Sequence, residues 1–263
     1  MNRNFRTVTS FAAVILAFSG GLFSIFARGT AAQTAELHVM VSDSMKTVVE
    51  ELTPQIEQAI GRKLVPQFNS SKNLRDKIQA GEAFDAAILT SEVLDDLIKQ
   101  GKIAPGGRAE IARTGIGMGV RAGTTKPDIS TAESLRRTLM NAKAISFNPT
   151  GASAVHTNDM LARLGIAEAV KSKLLLSSEP GRPQMNVAEG KSEVVFSLIP
   201  EIKFFPGVDL VGPVPAEFQA EIVTVGGVAS SAHDPAAALA LIKLLTGPAA
   251  APVMKAKGMQ PAQ

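Results

Sequence analysis

Apolar stretches rich in Val, Ile and Leu alternate along the chain with segments whose apolar residues recur at helical spacing. A first strand is predicted at residues 37–41. A first helix is predicted over 44–60, where apolar positions follow a period of about 3.6 residues. Gly61 is a suitable end for that helix. Strands that alternate with helices in this way predict an α/β fold around a mostly parallel sheet.

The same alternation continues to the end of the chain. Further strands are predicted at 64–68, 84–89, 143–147, 173–176 and 193–198, and further helices over 72–79, 92–99, 131–141, 153–164, 183–190, 235–246 and 249–257. Pro66 predicts an edge or end position for the second strand, because proline cannot donate to a sheet ladder.

Two glycine-rich stretches predict where the chain passes between two lobes. A glycine-rich strand from Arg113 to Val120 predicts the first crossing, and residues 221–228 predict the return. We therefore expect a two-lobed α/β protein with its ligand cleft between the lobes. Residues 36–113 and 225–263 are expected to form lobe 1, and residues 114–224 lobe 2. Two crossings would make a hinge on which the lobes close over a ligand.

The first 32 residues have the pattern of a secretory signal. Arg3 and Arg6 form a short basic region, an uncharged apolar segment of 17 residues runs from Phe11 to Ala27, and Thr30-Ala31-Ala32 is a suitable cleavage site. A retained membrane anchor is the alternative, but 17 residues is near the lower limit for spanning a bilayer. We therefore predict a cleaved signal peptide over residues 1–32 and a periplasmic mature protein.

Removing this segment changes the net charge. The full chain has a formal charge of +3, but the segment holds three arginines and no acidic residue, which leaves 24 basic and 24 acidic residues. A neutral chain gives no indication of nucleic-acid binding. The sequence has no cysteine and only three histidines, so it offers no disulfide framework and few ligands for a transition metal. We expect neither a metal nor a cofactor.

Hydroxyl-rich turns follow the first two predicted strands. In open α/β sheets, ligands bind beyond the carboxyl ends of the strands, where helix N-termini present unpaired N–H groups to anions. Ser44 follows the first strand, and Asn69 and Ser70 follow the second. Helix capping explains each residue taken alone, but two such turns after consecutive strands favour an anion site. Lys72 is more simply a solvated lysine.

Two further candidate segments lie in the predicted lobe 2. Ala152 and Ser153 follow Gly151 after a strand, and these small residues would let backbone N–H groups approach an anion closely. His156 lies in the first turn of the next helix, where a surface or core histidine is the simpler interpretation. Ser197 lies near the end of another strand, where it either faces the cleft or merely terminates the strand.

Motifs of common enzyme classes are missing from the sequence. It contains neither a G-x-S-x-G nucleophile elbow nor a G-x-x-x-x-G-K-[ST] phosphate loop. Asp95-Asp96 is a carboxylate pair on a predicted helix and is most simply a solvated surface. Because no convincing nucleophile–base pair is evident, we predict a binding protein and not an enzyme.

Several of these segments resemble the periplasmic molybdate-binding proteins of ABC importers, which have the type 2 periplasmic binding fold. The resemblance covers most of residues 36–260. It is carried by the segment around Ser44, by Phe68-Asn69-Ser70-Ser71, by the turn at 148–153 and by the segment 246–250. It implies a periplasmic protein that works with an ABC permease in the inner membrane. Because the sequence has no cysteine to carry a lipid anchor, we expect a freely diffusing protein, and we expect a monomer.

In that family, hydroxyl and backbone N–H groups from both lobes hold a dehydrated tetrahedral dianion. The resemblance implies this role for Ser44 and Ser70 in lobe 1 and for Ala152 and Ser153 in lobe 2. The family commonly adds a tyrosine, but this chain has none; Leu198 falls near that position, and Ser197 would substitute for part of the tyrosine's role. We therefore predict capture of molybdate, tungstate or a similar oxyanion. A small organic carboxylate as ligand, and an enzyme or sensor on the same fold, stay open as alternatives.

Overall fold

A computed structural model describes residues 35–262 of the chain, so the predicted signal peptide lies outside the described residues. The described part contains two β-sheets with helices packed against them, which confirms the α/β class. We call the first sheet with its helices lobe 1 and the second sheet with its helices lobe 2.

The elements of lobe 1 come from both ends of the described chain. They are β1 (Glu36–Ser42), α1 (Lys46–Ile60), β2 (Lys63–Asn69), α2 (Ser71–Gln79), β3 (Ala86–Thr90), α3 (Ser91–Lys99) and β4 (Ala109–Thr114), and after lobe 2 the strands β10 (Ile222–Val228) and β11 (Gln260–Pro261) with α9 (Pro235–Thr246) and α10 (Ala251–Ala256). A 3-10 turn, Asp43–Met45, joins β1 to α1.

Lobe 2 is formed by the chain between β4 and β10. Its elements are β5 (Ile116–Arg121), α4 (Ala132–Asn141), β6 (Ile145–Phe147), α5 (Ala154–Arg163), α6 (Ala167–Val170), β7 (Leu174–Leu176), α7 (Arg182–Ala188), β8 (Val194–Leu198), α8 (Ile199–Lys203) and β9 (Val208–Pro213). The short helix α8 and the strand β9 are absent from the sequence-based prediction.

The sheet of lobe 1 has six strands in the order β11-β4-β10-β3-β1-β2. Strands β2, β1 and β3 are parallel, and β10 is antiparallel to β3 and β4. Strand β2 lies at the edge, as Pro66 predicted. Ser42 at the end of β1 is the register partner of Asn69 at the end of β2, so the turns after these strands are neighbours.

Helix α1 packs on this sheet through the apolar positions that the sequence indicated. Its buried residues are Val48, Val49, Leu52, Ile56 and Ile60. These side chains share one core with α9 and with the strands below. The helix ends at Gly61, which has a φ of +63° that a side chain would disfavour.

The sheet of lobe 2 has five strands in the order β7-β6-β8-β5-β9. Strand β6 is parallel to β7 and β8, whereas β5 is antiparallel to β8 and β9. Phe147 and Phe196 are register partners and are fully buried in this core. Because β6 and β8 are parallel, the segments that follow them emerge at the same edge of the sheet.

The chain crosses from lobe 1 to lobe 2 at Gly115. Strand β4 ends at Thr114 in one sheet and β5 begins at Ile116 in the other. The prediction of one strand from Arg113 to Val120 is therefore wrong. The extended sequence pattern continues through Gly115, but the hydrogen-bonding partners change there.

A second crossing, residues 214–221, runs beside the first. The side-chain amide of Gln219 accepts a hydrogen bond from Ile116 N at 2.6 Å and donates one to Ile116 O at 3.0 Å. A Cβ atom at Gly115 would lie 2.9 Å from Gln219 Oε1, so a side chain there would displace the Gln219 amide from Ile116. We propose that the two domains divide at these paired crossings and that the crossings form the hinge.

Candidate functional site

A cavity of about 380 Å³ lies between the two lobes. Its walls come from the carboxyl ends of the strands on both sides, which is where ligands bind in open α/β sheets. Lobe 1 contributes Ser42, Asp43, Lys46, Thr47, Glu50, Ser70 and Ser71, and the polar residues from lobe 2 are Asn148, Ser153, Gln184, Ser197 and Glu201.

The turn after β1 places Ser42, and not the predicted Ser44, at the cavity. Ser42 ends the strand and lines the wall. Ser44 lies within the 3-10 turn, is 1% exposed, and its Oγ lies 3.2 Å from the Oγ of Ser42. The structure therefore places Ser44 behind Ser42, from where it supports the wall without lining it.

The turn after β2 places Ser70 and Ser71 at the cavity. Ser70 is the N-cap of α2, and its side chain accepts a hydrogen bond from Asn73 N at 3.3 Å. Asn69 is not part of the wall. Its Oδ1 accepts hydrogen bonds from Ser70 N at 2.8 Å and from Asn73 Nδ2 at 2.9 Å. Asn69 thus holds the turn together, and α2 directs its N-terminal dipole towards this end.

The turn after β6 places Ala152 and Ser153 at the cavity, as the sequence predicted. Asn148 shapes this turn: its Oδ1 accepts hydrogen bonds from Thr150 N at 2.8 Å and Thr150 Oγ1 at 2.9 Å, and its carbonyl accepts one from Gly151 N at 3.2 Å. The turn leads directly into α5.

Two polar side chains in the wall have no partner of their own. Ser153 is 3% exposed and Gln184 is 5% exposed, and within residues 35–262 neither side chain makes a hydrogen bond to protein. Their polar atoms are open to the cavity, where water or a ligand can pair with them. Their position at the cavity indicates that a ligand or ordered water completes them. Sequence reasoning missed Gln184, which lies on α7 without a distinctive pattern.

Ser197 lines the cavity near the end of β8, but its hydroxyl is already engaged. Its Oγ donates a hydrogen bond to Glu201 Oε2 on α8. Burial raises the pKa of Glu201 to about 7; the hydrogen bond from Ser197 opposes this rise, and the negative charge of Asp43 adds to it.

Asp43 faces the same cavity from lobe 1. Burial raises the pKa of its carboxyl to about 6, while the nearby charge of Lys46 acts in the opposite direction. The turn that carries Asp43 packs against α8, which carries Glu201. The cleft therefore contains two carboxyl groups, one from each lobe, that take up protons near neutral pH.

Sequence reasoning missed both carboxyl groups. Asp43 was not distinguished from its neighbour Ser44 in the turn after the first strand, and Glu201 lies in a five-residue helix with too few positions for a periodic pattern. A signal was present, since Asp43 directly follows β1 and Glu201 lies three residues after β8, both at carboxyl ends of strands.

Lys46 is the one cation in the cavity wall among the described residues. Its Nζ lies 3.9 Å from Glu50 Oε1 and 5.7 Å from the centre of the Phe68 ring. The other basic candidates, Lys72, His156 and Arg182, are not part of the wall. Arg182 pairs with Glu179 and Glu189 instead.

The described residues show neither a membrane span nor a metal site. Between residues 35 and 262, no helix has the length and apolar character to cross a bilayer. In the same range, no three His, Cys, Asp or Glu side chains form a group that could hold a metal ion.

Comparison with known proteins gives two curated relatives of similar length. A protein of a Pseudomonas species named aconitate isomerase is 26% identical over 231 residues, which is 86% of this chain and 87% of the relative. The molybdate-binding protein ModA of Azotobacter vinelandii is 27% identical over 259 residues, which is 95% of this chain and 97% of the relative.

Solved structures agree on the fold. The periplasmic molybdate-binding protein of Azotobacter vinelandii matches with a TM-score of 0.73 and 20% identity, covering 86% of this chain and all of that one. This match confirms the two-lobed periplasmic binding fold and the resemblance that the sequence showed. Residues 37–260 match the family described as bacterial extracellular solute-binding protein. The chain belongs to this family of solute-binding proteins.

Proposed function

We propose that the protein captures a small organic carboxylic acid in the cleft between its lobes and delivers it to a membrane permease. The observation that carries this proposal is the mixed lining of the cavity. Ser70, the 152–153 turn and the side chain of Gln184 offer hydrogen-bond donors to a carboxylate, and Lys46 offers a positive charge. Asp43 and Glu201, when protonated, no longer carry the negative charge that would oppose an anion in the cavity.

The rest of the lining suits a carbon skeleton. Met185, Phe204 and Phe205 add apolar surface to the same cavity. Ligand sites for organic molecules are commonly mostly apolar, with a few placed polar groups. A tetrahedral oxyanion has no carbon atoms to cover these side chains. The relative named aconitate isomerase supports the same class, because aconitate is an unsaturated tricarboxylic acid.

Capture of molybdate or a similar oxyanion is the second candidate. The match to ModA over 95% of this chain favours it, together with the hydroxyl turns at Ser70 and Ser153. The two carboxyl groups argue against it, because a dehydrated dianion held directly beside Asp43 and Glu201 requires both to stay protonated, whereas an organic acid can place carbon atoms beside them. Ser197 donates to Glu201, which leaves this hydroxyl less available to replace the missing tyrosine.

We further propose that the mature protein is a periplasmic monomer. The predicted signal peptide over residues 1–32 and the extracellular solute-binding family support export. Closure on the hinge would bring the two walls together around the ligand, and the closed form would be the one that an ABC permease recognises. Binding without chemistry stays a prediction, since one relative is named as an enzyme.

A thermal-shift screen of the mature protein tests the ligand class. The panel contains cis-aconitate, trans-aconitate, citrate, molybdate, tungstate, sulfate and phosphate, each at pH 5.5 and pH 8. A ligand at 100 times its dissociation constant adds about 2.7 kcal/mol to the stability of the folded state. The expected result is a shift with carboxylates that is larger at pH 5.5, because Asp43 and Glu201 are then protonated.

Two variants make the screen specific to the cleft. Ser70→Ala should reduce the shift, whereas Ser230→Ala should not, because Ser230 is exposed and lies outside the cavity wall. A response to oxyanions alone would favour the second candidate. No response to any member of the panel would refute both.

A further inference from the structure

We propose that Asp43 and Glu201 form an acid–base pair that shifts a proton within a bound unsaturated carboxylic acid. The cleft would then be a catalytic site as well as a binding site. This inference rests on the proposed capture of an organic acid and goes beyond it. It would overturn the prediction that the chain is not an enzyme.

The placement of the two carboxyl groups carries the inference. Asp43 lies in the turn after β1, and Glu201 lies on α8 after β8, so each comes from a different lobe. The two elements pack against each other, and both side chains line the 380 Å³ cavity between the lobes. A small acid held in this cavity would have a carboxyl group from each wall close to its carbon atoms.

Independent features show that a ligand is expected between them. Ser153 and Gln184 line the same wall, and within residues 35–262 their side chains make no hydrogen bond to protein, so their polar groups are available to a ligand. Lys46 and the turn after β2 supply positive potential on the lobe 1 side. These groups would hold the carboxylates of the substrate, while Asp43 and Glu201 would be left free to act on carbon.

The chemical environments of the two groups differ in the way that acid–base catalysis requires. Burial raises the pKa of Asp43 to about 6 and that of Glu201 to about 7. Lys46 favours the ionised form of Asp43, which therefore acts as the base, whereas the negative charge of Asp43 favours the protonated form of Glu201, which acts as the acid. General acids and bases work best when their pKa lies near the working pH, and pairs with separated pKa values mark the two roles.

The reaction needs no cofactor and no oxidant. The carboxylate of Asp43 removes a proton from the methylene carbon next to the double bond, and the released electron pair forms a new C=C bond to the neighbouring carbon. The electrons of the old C=C bond take the proton of Glu201 at the far carbon. The product is an isomer of the substrate with its double bond moved by one position. A proton then passes from Asp43 to Glu201, directly or through water, which restores the pair.

Lys46 contributes by holding the negative charge that develops during the first transfer. Removing a proton beside a carboxylate spreads charge onto the carboxylate oxygens, and a fixed cation there stabilises the transition state. Besides Asp43, Glu201 and Lys46, the wall contains Glu50, whose Oε1 lies 3.9 Å from Lys46 Nζ. A substrate carboxylate would compete with Glu50 for this cation.

The test follows cis-aconitate and trans-aconitate in D2O by proton NMR with the purified mature protein. The expected result is interconversion of the isomers and replacement of their carbon-bound protons by deuterium, both faster than without protein. Asp43→Asn and Glu201→Gln should each slow both processes by about 100-fold or more, the range for losing a general acid or base. Glu217→Gln, which removes an exposed acid outside the wall, should leave both rates unchanged.

Calorimetric titration with the same two probes separates binding from chemistry. In the Asp43 and Glu201 variants, an affinity within about tenfold of the parent, with the rate lost, supports catalytic roles. Binding by the parent protein without exchange or isomerisation would overturn the acid–base pair and leave the capture of carboxylates intact. Rates unchanged in both variants would also overturn it. If neither isomer binds, both proposals fail for this class of acid.

Discussion

Replacing Glu201 with glutamine is expected to stabilise the ligand-free protein at pH 8 and to change its stability little at pH 5. The pKa of Glu201 is raised from 4.5 to about 7 in the folded protein, chiefly by burial. Between these two values the unfolded chain is ionised while the folded protein keeps its proton. Stability therefore falls as the pH rises through this window and levels off above about pH 7. Glutamine stays neutral, so the variant lacks this loss.

The size of the effect follows from the width of that window. Each pH unit of pKa shift corresponds to about 1.4 kcal/mol, which gives an upper value of about 3 kcal/mol. Glu201 is half-buried at an open cleft, so water reduces the cost, and a gain of about 2 kcal/mol is the more realistic expectation. The glutamine oxygen can still accept the hydrogen bond from Ser197.

Urea unfolding of the parent and of Glu201→Gln at pH 5, 6, 7 and 8 measures this difference directly. The free energy of unfolding of the variant should exceed that of the parent progressively from pH 5 to pH 8. Glu217→Gln serves as the matched control and should show no such trend, because Glu217 is exposed. A difference between parent and Glu201→Gln that stays constant over the whole range would refute the reasoning.

Three further predictions concern the cavity wall and the cores. Ser70→Ala should weaken ligand binding by about 1–3 kcal/mol in calorimetry, and Ser44→Ala by much less, because Ser44 lies behind the wall; equal losses would place both in contact. Gly119→Ala should cost about 1–3 kcal/mol in urea unfolding, because its Cβ would meet Ile202 Cγ2 at 2.6 Å; Gly212→Ala, with nothing within 4 Å, is the control, and a similar cost in both would be inconsistent with overpacking. Asp85→Ala should cost about 2 kcal/mol or more, because its carboxylate accepts hydrogen bonds from two backbone N–H groups at 2.9 and 2.7 Å; an unchanged unfolding curve would show that water replaces it.

The fold could be predicted largely from periodicity because most elements carry their own pattern. Helix α1 has five buried apolar residues at helical spacing, and Pro66 indicated the edge position of β2. The split at Gly115 could not be predicted, because an extended chain keeps its alternating pattern when its hydrogen-bonding partners change. Helix α8 is too short for a period to be visible.

The candidate site was predicted in part. Ser70, Ala152, Ser153 and Ser197 line the cavity, since the ends of parallel strands place their turns at one edge. Ser42 replaces Ser44 because the chain enters a 3-10 turn there, and the strand alternation no longer says which side chain faces the cleft. The proximity of Asp43 to Glu201 depends on a contact between the turn after β1 and α8, which are far apart in sequence, and no local pattern encodes it.

The pairing of β4 with β10 at the crossing shows how the two lobes are arranged along the sequence. Thr114 and Ile222 are directly opposed partners in neighbouring antiparallel strands, although the whole of lobe 2 lies between them in sequence. Lobe 2 is thus an insertion at what would otherwise be a simple hairpin of lobe 1. A short turn from Thr114 to Ile222 should therefore reconnect lobe 1 without changing the direction of either strand. A different second lobe could be inserted between the same two residues while the structure of lobe 1 stays the same.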